Sequence, residues 1–454
     1  MVRCRQNSVP DRPSGTMERS LRINILAGFW GMFWMSVPLG APLPLLMQTI
    51  DASGTQLGIL SASWQIAMLA QIPAAFWAER LRRRKVYWAS TTIAHRILWA
   101  APAVVPAIFP NARPQWPMWI IACLSLSSLL ANLGTACWQS WMADLVPEQT
   151  AGSFWGIRQR FLALGLMVAT ATYGWILDHP AHSGTLAGFQ WVFALCSFFG
   201  VCDIVIHLWV REPAHVRARS GTPFFSRIQT PFRSQGFRSL TASMALWTGA
   251  QSMLGYTLGM PGFFSMVHLK ETFGASFSQA SLIFLCNALG AVICMPWIGR
   301  WMDRAGAHAV LLRLMAAAPL AQMGWWLAPH GDLSIAGSRW PLSVFWMVPV
   351  SLVQGAILTG ALLCQFRLTQ MATLPEGRTL AMALHWSISG IGGALGAVGA
   401  GMLHDAWKFT TSAHGGVAGA WTGFDALVFA QALLVWCGAR PILRKFPGPA
   451  LAPS

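Results

Sequence analysis

Charged residues are scarce in this chain and make up only 10% of its 454 residues, whereas soluble globular domains contain roughly 25%. Acidic residues are the scarcest, with 15 Asp and Glu against 31 Lys and Arg. Apolar stretches occupy most of the chain, and each is long enough to cross a bilayer, which takes about 20 residues. A soluble fold could not bury them all, so the sequence predicts an integral membrane protein.

Several chemical signatures are absent as well. The sequence contains no GxxxxGK[ST] phosphate loop, no HExxH metal motif, no CxxC pair and no serine nucleophile elbow. Most of the nine cysteines fall inside apolar stretches, where a thiol packs as a small apolar side chain. We therefore predict that this chain is not an enzyme, uses no cofactor or metal, and drives no transport by hydrolysing ATP.

Twelve apolar stretches predict twelve transmembrane helices, and the expected fold class is an all-α integral membrane protein. Some stretches contain glycine or proline, which membrane helices tolerate because neighbouring helices satisfy the freed backbone groups. The predicted helices cover residues 24–47, 56–77, 86–108, 117–143, 153–177, 188–210, 240–268, 276–298, 309–328, 342–371, 379–404 and 419–438.

The basic residues are distributed unevenly between the loops. Most lie in the terminal segments and in every second loop, whereas the other loops hold only Arg113, Lys270, Arg339 and Lys408. By the positive-inside rule, both termini are predicted to be cytoplasmic in a multi-pass protein of the cell inner membrane. The net charge of +16 then reflects topology and contact with anionic membrane lipids, and no nucleic-acid partner is expected.

The chain repeats itself. An acid follows the second and the eighth stretch (Glu79 and Asp303), and a Pro-Glu pair follows the fourth and the tenth (147–148 and 375–376), at nearly equal separations. Each half holds six stretches, so both halves enter the membrane in the same direction. We predict a cytoplasmic tail (1–23), a six-helix bundle (24–210), a cytoplasmic linker (211–239), a second six-helix bundle (240–438) and a cytoplasmic tail (439–454).

A short loop motif, Gly-x-x-x-Asp-Arg-x-Gly, occupies residues 299–306 after the eighth stretch. With this motif and its two six-helix halves, the chain resembles the major facilitator superfamily over nearly its whole length. The copy after the second stretch departs from the family pattern, because Ala75, Glu79 and Arg82 replace Gly, Asp and Gly. The resemblance implies a secondary active or facilitative transporter that moves a small organic solute by alternating access.

Charged residues at the ends of the predicted helices are candidates for a latch. They are Glu79, Arg80, Arg83, Asp144, Asp303 and Arg304. The resemblance implies that such residues hold the cytoplasmic helix ends together when that side is closed, and charge pairs form and break easily at the intermediate dielectric there. The alternative is that they only orient the chain, although orientation requires basic residues and no acids.

Ionisable residues inside the apolar stretches are functional candidates, because burying them in a membrane is costly. They are His95, Arg96, Arg158, Arg160, Asp203, His207 and His385. Asp203 and His207 share one helix face and could relay a coupling proton, or they could form a static pair at the surface near the cytoplasmic end. Arg96 and Asp203 could form a buried structural pair, and Arg158 and Arg160 could extend to the cytoplasmic surface.

By the same resemblance, the first, fourth, seventh and tenth helices line a central cavity. Their polar and aromatic candidates are Trp30, Trp34, Asn132, Gln139, Gln251, Tyr256, Gln354 and Gln365. None is charged, so this wall would suit a neutral or weakly polar solute. The alternative is that the amides join helices and the tryptophans lie at the membrane interfaces.

The eleventh stretch is dense in glycine, and Gly392-x-x-x-Gly396 is a close-packing pattern. The other glycines concerned are Gly390, Gly393, Gly399 and Gly401 in the same stretch and Gly156, Gly165 and Gly174 in the fifth. We expect these glycines to allow tight contact at the interface between the two halves, and the alternative is tight packing without motion.

The expected partners are a small-molecule substrate, a coupling proton and membrane lipids, and the protein is expected to act as a monomer. Two other functions stay open. One is a non-transporting membrane sensor of the same fold. The other is a membrane-embedded lipid-linked transferase, which needs acids or histidines to converge at one membrane face. The loops of the non-cytoplasmic face offer only scattered residues, namely Asp51, Asp178, His179, His182, Asp332, His404 and Asp405.

Overall fold

The computed structural model describes residues 15–81, 83–146, 148–179, 181, 186–213, 228–256, 263–335, 337–372, 378–413 and 423–446. Within these ranges the chain is almost entirely helical. We number its helical runs α1 to α12, and one number covers all pieces of a run.

The first six runs form the first half of the chain. Proline marks two of their breaks, because Pro42 and Pro102 each lie at the start of a new helical piece. The runs are α1 (Gly15–Leu39, then Pro42–Thr49 after a bend of 42°), α2 (Gly54–Ala67, the 3-10 turn Met68–Ala70 and Gln71–Arg80), α3 (Arg84–Leu98 and Ala101–Ile108), α4 (Trp116–Leu145, after the 3-10 turn Arg113–Gln115), α5 (Glu148–Asp178) and α6 (Ala187–His207).

The last six runs form the second half. They are α7 (Gln235–Met253 and Phe263–Phe273, after the 3-10 turn Thr230–Arg233), α8 (Phe277–Ala305), α9 (Ala307–Gln322), α10 (Leu342–Met371), α11 (Arg378–Ala413) and α12 (Gly423–Leu433, the π-helical segment Leu434–Ala439 and Arg440–Arg444). Between α9 and α10, strands β1 (Asp332–Ile335) and β2 (Ser338–Pro341) form an antiparallel hairpin that the sequence analysis did not predict.

Each of the twelve predicted stretches coincides with one helical run, so the predicted fold class is confirmed. Among the described residues, eight helices are long and apolar enough to cross a membrane, and the bent pair of α1 makes a ninth. The others are α3, which is broken, α7, which is interrupted after Met253, and α9, which is short.

Several helix ends differ from the prediction, and α1 already begins at Gly15, inside the predicted cytoplasmic tail. The run α7 begins at Gln235, inside the predicted linker, because the Ser234 side chain caps it by accepting a hydrogen bond from the Phe237 N–H. The run α11 continues to Ala413, well past the predicted end at residue 404. Hydropathy marks only the apolar part of a helix, so polar helical ends are missed. The proposed division into bundles and linker stays a prediction.

The helices pack against one another within each half, and a few of them also contact the other half. In the first half α1 packs against α5 and α6, and α3 packs against α4 and α6. In the second half α7 packs against α11, and α8 packs against α10. The two halves meet mainly along two helix pairs, α2 with α11 and α5 with α8, and the second piece of α1 also contacts the second piece of α7.

Glycines allow helix backbones to touch in both kinds of contact. A Cβ atom added to Gly396 of α11 would lie 2.0 Å from the carbonyl oxygen of Gly249 in α7, and Gly392 makes the same kind of contact. This pair therefore packs within the second half, so the expectation of contact between the halves is wrong for Gly392 and Gly396. The glycine spacing predicts close packing but not the partner helix. Between the halves, a Cβ on Gly401 would lie 2.3 Å from the carbonyl oxygen of Gly54 in α2.

We expect the Gly396→Ala variant to be destabilised by about 1–3 kcal/mol, because its methyl group must push two helix backbones apart. Gly399 of the same helix has no atom within 4 Å of an added Cβ. The Gly399→Ala variant should therefore be more stable by about 0.5–1 kcal/mol, the usual advantage of alanine in a helix. Thermal unfolding in one detergent compares the two, and equal changes would contradict the packing argument.

Candidate functional site

The two halves enclose a central cavity. We call the membrane face at which α1 begins the near face and the opposite one the far face. The cavity has a volume of about 80 Å³, and α2 of the first half and α7, α10 and α11 of the second half form its wall. Its main aromatic and amide residues are Trp64, Gln65, Trp247, Gln251, Gln365 and Trp386.

The cavity residues predicted in the second half lie at this site. Gln251, Tyr256 and Gln365 line the cavity. Gln354 lies directly behind it, where its Oε1 accepts a hydrogen bond from the Tyr256 hydroxyl at 2.6 Å. The Tyr256 hydroxyl also accepts a hydrogen bond from the Trp325 indole at 2.9 Å, so the position of the phenol is fixed from two sides.

The cavity residues predicted in the first half lie elsewhere. Trp30 stacks on Phe199 of α6, with ring centroids 5.1 Å apart. Asn132 accepts a hydrogen bond from Gln71, and Gln139 is exposed. The first half instead contributes α2 residues, which the sequence analysis did not consider. Composition identifies a polar helix but does not fix which way the helix is rotated, and this explains the difference.

At the far face, a carboxylate of α11 completes the first turn of α2. The first four N–H groups of a helix lack partners within it. Ser53 Oγ accepts from the Gln56 N–H at 3.1 Å, and Gln56 Oε1 accepts from the Ser53 N–H at 2.9 Å, which is a capping box. The two remaining N–H groups, of Gly54 and Thr55, both donate to the carboxylate of Asp405 at 2.7 Å, and the Thr55 hydroxyl donates to it at 2.6 Å.

The same arrangement recurs where α5 meets α8. Ser276 and Gln279 form the capping box of α8. The N–H groups of Phe277 and Ser278 donate to the carboxylate of Asp178, the last residue of α5, at 3.0 and 2.7 Å. We call these two contacts, Asp405 on α2 and Asp178 on α8, the clasps. Each joins one half to the other, and each places a negative charge at the positive end of a helix.

Neither clasp is predicted from the sequence, in which Asp178 and Asp405 are scattered loop acids. A signal for them was present. The Ser-x-x-Gln box occurs at 53–56 and again at 276–279, directly before an apolar helix in each half. Asp178 and Asp405 are separated by nearly the same number of residues as the two boxes.

At the near face, one latch candidate, Asp144, has a partner within the first half. The guanidinium of Arg84, which is fully buried, lies 2.7 Å from the carboxylate of Asp144 and 3.9 Å from that of Glu212. Arg83, the residue predicted for this role, is exposed because it precedes the first turn of α3. The backbone N–H of Lys85 donates to Glu212 at 3.2 Å. Burial lowers the pKa of the Lys85 ammonium, and the Glu212 carboxylate opposes that shift.

The other latch candidates are not part of this cluster. Asp303 and Arg304 are exposed at the near end of α8. The side chains of Glu79 and Arg80 lie outside the part of the chain that the structure describes. The role of all six residues stays a prediction.

We expect the Asp144→Asn variant to transport at a rate changed by about fivefold, because a half-exposed charge pair contributes ~1 kcal/mol. Initial uptake rates in vesicles, normalised to the amount of protein, measure this change. Glu18→Gln, which removes an exposed pair with Arg22 on one helix, is the matched control and should leave the rate unaltered. A rate for Asp144→Asn equal to that of the control would remove Asp144 from the latch.

Four buried polar residues and the half-buried Arg158 form a continuous chain in the first half. Arg96 Nη2 donates to Asp203 Oδ2 at 3.3 Å, and His207 Nδ1 lies 3.0 Å from Asp203 Oδ1. His207 Nε2 lies 3.1 Å from Asn24 Nδ2, and Asn24 Oδ1 accepts from Arg158 Nε at 2.9 Å. Asp203 and His207 are only 6% and 3% exposed, which excludes the alternative of a static pair at the surface. We call these five residues the buried polar chain.

The buried polar chain reaches the cavity through two tryptophans. The guanidinium of Arg96 lies over the ring of Trp34 at 3.5 Å from its centroid, and Trp34 stacks on Trp64, which lines the cavity. His95 contacts Arg96 and Ser127 through its two imidazole nitrogens. Nε2 of His95 lies 3.1 Å from Arg96 Nη1, and Nδ1 of His95 lies 2.6 Å from the hydroxyl of Ser127.

The remaining ionisable candidates differ in burial. Arg158 hydrogen-bonds inside the bundle instead of extending to the surface, whereas Arg160 is exposed. His385 is buried behind the cavity, with Nδ1 2.9 Å from the Thr241 hydroxyl and Nε2 3.0 Å from the Gln365 amide. Over the described ranges, no group of three His, Cys, Asp or Glu side chains is placed to hold a metal ion.

Comparison with known proteins identifies relatives of this chain. Residues 23–397 match the model of the Major Facilitator Superfamily. Two uncharacterized MFS-type transporters, from Mycobacterium tuberculosis strains CDC 1551 / Oshkosh and ATCC 25618 / H37Rv, are each 24% identical over 249 residues. Each match covers 54% of this chain and 51% of the relative, so this chain matches about half the length of these curated relatives.

Solved structures with the same fold include three transporters. A point mutant of the nucleoside transporter NupG aligns with a TM-score of 0.69 at 14% identity, over 94% of this chain and 100% of that one. A bacterial homologue of the iron transporter ferroportin, in an inward-facing state, aligns with a TM-score of 0.65 at 16% identity (96% and 99% coverage). A D-xylose–proton symporter aligns with a TM-score of 0.62 at 14% identity (92% and 96% coverage). At these identities the likeness concerns the fold alone.

Proposed function

Because this chain belongs to the major facilitator superfamily, we propose that it is a secondary active or facilitative transporter that moves a small organic solute by alternating access. The observation that carries the proposal is the central cavity, whose wall comes from both halves of the chain. A site shared by two halves is exposed to one side or the other when the halves rock against each other. The solutes of the structural neighbours belong to those proteins and identify none for this chain.

The orientation of the protein is part of the proposal. The near face carries most of the Lys and Arg residues, so we assign it to the cytoplasm, with both termini on that side of the cell membrane. The far face, where the clasps join the two halves, is then the outer face. The clasps close that side when they form and must break before the cavity can open outward.

A coupling proton, if one is used, has its best candidates in the buried polar chain. Asp203 and His207 are buried together, and the chain adjoins the cavity through Trp34 and Trp64. A carboxylate and an imidazole in contact can exchange a proton as their surroundings change. Accumulation that ignores an imposed pH gradient would reject this role.

The family match favours a transporter over the two rival functions. A lipid-linked transferase would need acids or histidines that converge, yet Asp178 and Asp405 are used as structural clasps. A sensor that has lost transport would keep the cavity and clasps but move no solute.

Uptake into vesicles tests the proposed function. The purified protein is reconstituted and supplied with radiolabelled sugars, amino acids, carboxylates, nucleosides and drugs, with and without a pH gradient. Transport of at least one solute, at a rate that saturates with concentration, is expected. If some solutes bind but none of them is transported, the result would favour the sensor.

A further inference from the structure

The described wall of the cavity carries no charged side chain. None of the residues that line it is Asp, Glu, Lys, Arg or His. The imidazole of His385 lies behind Gln365, and its two nitrogens already face Thr241 and Gln365. A charged solute in this cavity would lose its hydration without gaining an opposite charge, which is unfavourable. The wall therefore selects against anions and cations.

Three indole rings, together with Met68, Leu358 and Leu362, form the apolar part of the wall. Trp64 comes from the first half, while Trp247 and Trp386 come from α7 and α11 of the second. Indole faces bind flat rings by stacking, and they supply a large contact area with little flexibility. Because the rings come from both halves, a ring-shaped solute would be held between them.

Two buried polar groups in the same wall lack partners. The Gln251 amide is bonded at one end only, where its Oε1 accepts from Gln322 Nε2 at 2.5 Å, and its Nε2 has no partner among the described residues. Ser389 Oγ has none there either, although Ser389 is only 1% exposed. Buried polar groups are nearly always paired, and neither of these two atoms has accessible surface while the cavity is this narrow. They are therefore the groups that a ligand's polar atoms would meet once the cavity widens.

We propose that the central cavity binds a small uncharged ring compound, which stacks on tryptophan and hydrogen-bonds to Gln251 and Ser389. This rests on the proposed transport function and adds the class of solute. The volume of about 80 Å³ is smaller than the cavity of about 150 Å³ that holds benzene in a protein core, so the halves must separate slightly to admit a ring. The tryptophans from opposite halves then close on both sides of it.

Four compounds of similar size test the charge and the shape of the ligand. They are 2-pyridone (a flat neutral ring), D-arabinose (a neutral sugar ring), benzoate (an anion) and benzylammonium (a cation). Each is added to the purified full-length protein, and the change in melting temperature and the heat of binding are measured. A bound ligand stabilises the folded state more as its occupancy rises, so the neutral rings should raise the melting temperature and the charged rings should not.

Variants show whether the binding occurs at this cavity. Gln251→Leu and Ser389→Ala should each weaken binding of the neutral ring at least tenfold. Gln190→Leu, which removes an amide bonded to the Ala103 carbonyl far from the cavity, is the matched control and should bind as the parent does. Using two cavity variants keeps the test valid if one of them does not fold.

Three results would overturn the inference. They are binding of benzoate or benzylammonium as tight as that of the neutral rings, no binding of either neutral ring, and neutral-ring binding that survives both cavity substitutions. Each leaves the proposed transport function intact if another solute crosses the vesicle membrane. Failure of every solute to cross is a different result and would count against the transport function itself.

Discussion

Replacing both Asp178 and Asp405 with alanine should open the far face of the protein. Asp405 accepts three hydrogen bonds from α2, and Asp178 accepts two from α8. Both carboxylates are partly exposed, so we discount each clasp to ~1–2 kcal/mol, which is about a tenfold shift in the equilibrium between closed and open far faces. The clasps lie on different helix pairs, so their effects should add to about a hundredfold.

Labelling of one cysteine measures this opening. Thr248 lines the cavity, and Thr248→Cys in a background without native cysteines reports access by a thiol reagent that cannot cross the membrane. Reagent added at the far face should react faster with the double variant than with the parent, and Asp405→Ala alone should have a larger effect than Asp178→Ala alone. The matched control is Asp51→Asn, an exposed far-face carboxylate that pairs with Arg113 within the first half.

Unchanged labelling in the double variant would show that the clasps do not hold the far face closed. Labelling that rises equally in the Asp51→Asn control would show that loss of negative charge at that face, and not loss of the contacts, is responsible.

The second large effect concerns the buried polar chain. The Asp203→Leu variant should lose about 3–5 kcal/mol of stability, because Arg96 is then buried without its carboxylate partner. The double variant Arg96→Met with Asp203→Leu should recover most of this loss, since apolar side chains often replace a buried pair at little cost. In both variants His207 keeps its contact with the backbone carbonyl oxygen of residue 203, which lies 3.0 Å from its Nδ1.

Thermal unfolding in one detergent compares the three proteins. The expected order is parent and double variant close together, with the single variant far below. If the double variant is as unstable as the single one, the packing of the Arg96 and Asp203 side chains is what stabilises the protein. The unpaired charge of Arg96 would then not be the cause of the lost stability. Uptake by a stable double variant then tests whether the pair is needed for transport.

The fold could be predicted from the sequence because a bilayer imposes a simple rule on length and apolarity. The rule failed where polar residues continue a helix, as at Gln235 and after residue 404. It also gave no warning that α7 is interrupted after Met253, since apolar composition does not require a continuous helix.

The candidate site could be predicted only in part. Gln251 and Gln365 were found because an amide in an apolar helix needs a partner, and the cavity is one place to find it. Trp30 had the same appearance in the sequence but stacks on α6, since helix rotation depends on packing against neighbours. Asp178 and Asp405 could not be predicted as contacts, because their partners are backbone N–H groups. Such groups are present in every sequence, and no side-chain pattern marks the ones that bind a carboxylate.

The clasps are reciprocal, and this has a consequence for how the molecule is organised. Each half supplies one capped helix start and one carboxylate, and each uses those of the other half. This is the rule of a two-fold symmetric dimer, in which a patch on one subunit pairs with a second patch on its copy, and the reverse contact follows automatically. Duplication of a half-length ancestor with one capping box and one acid would have produced two such contacts at once. They would lie on opposite sides of the molecule, so that neither side could open without the other.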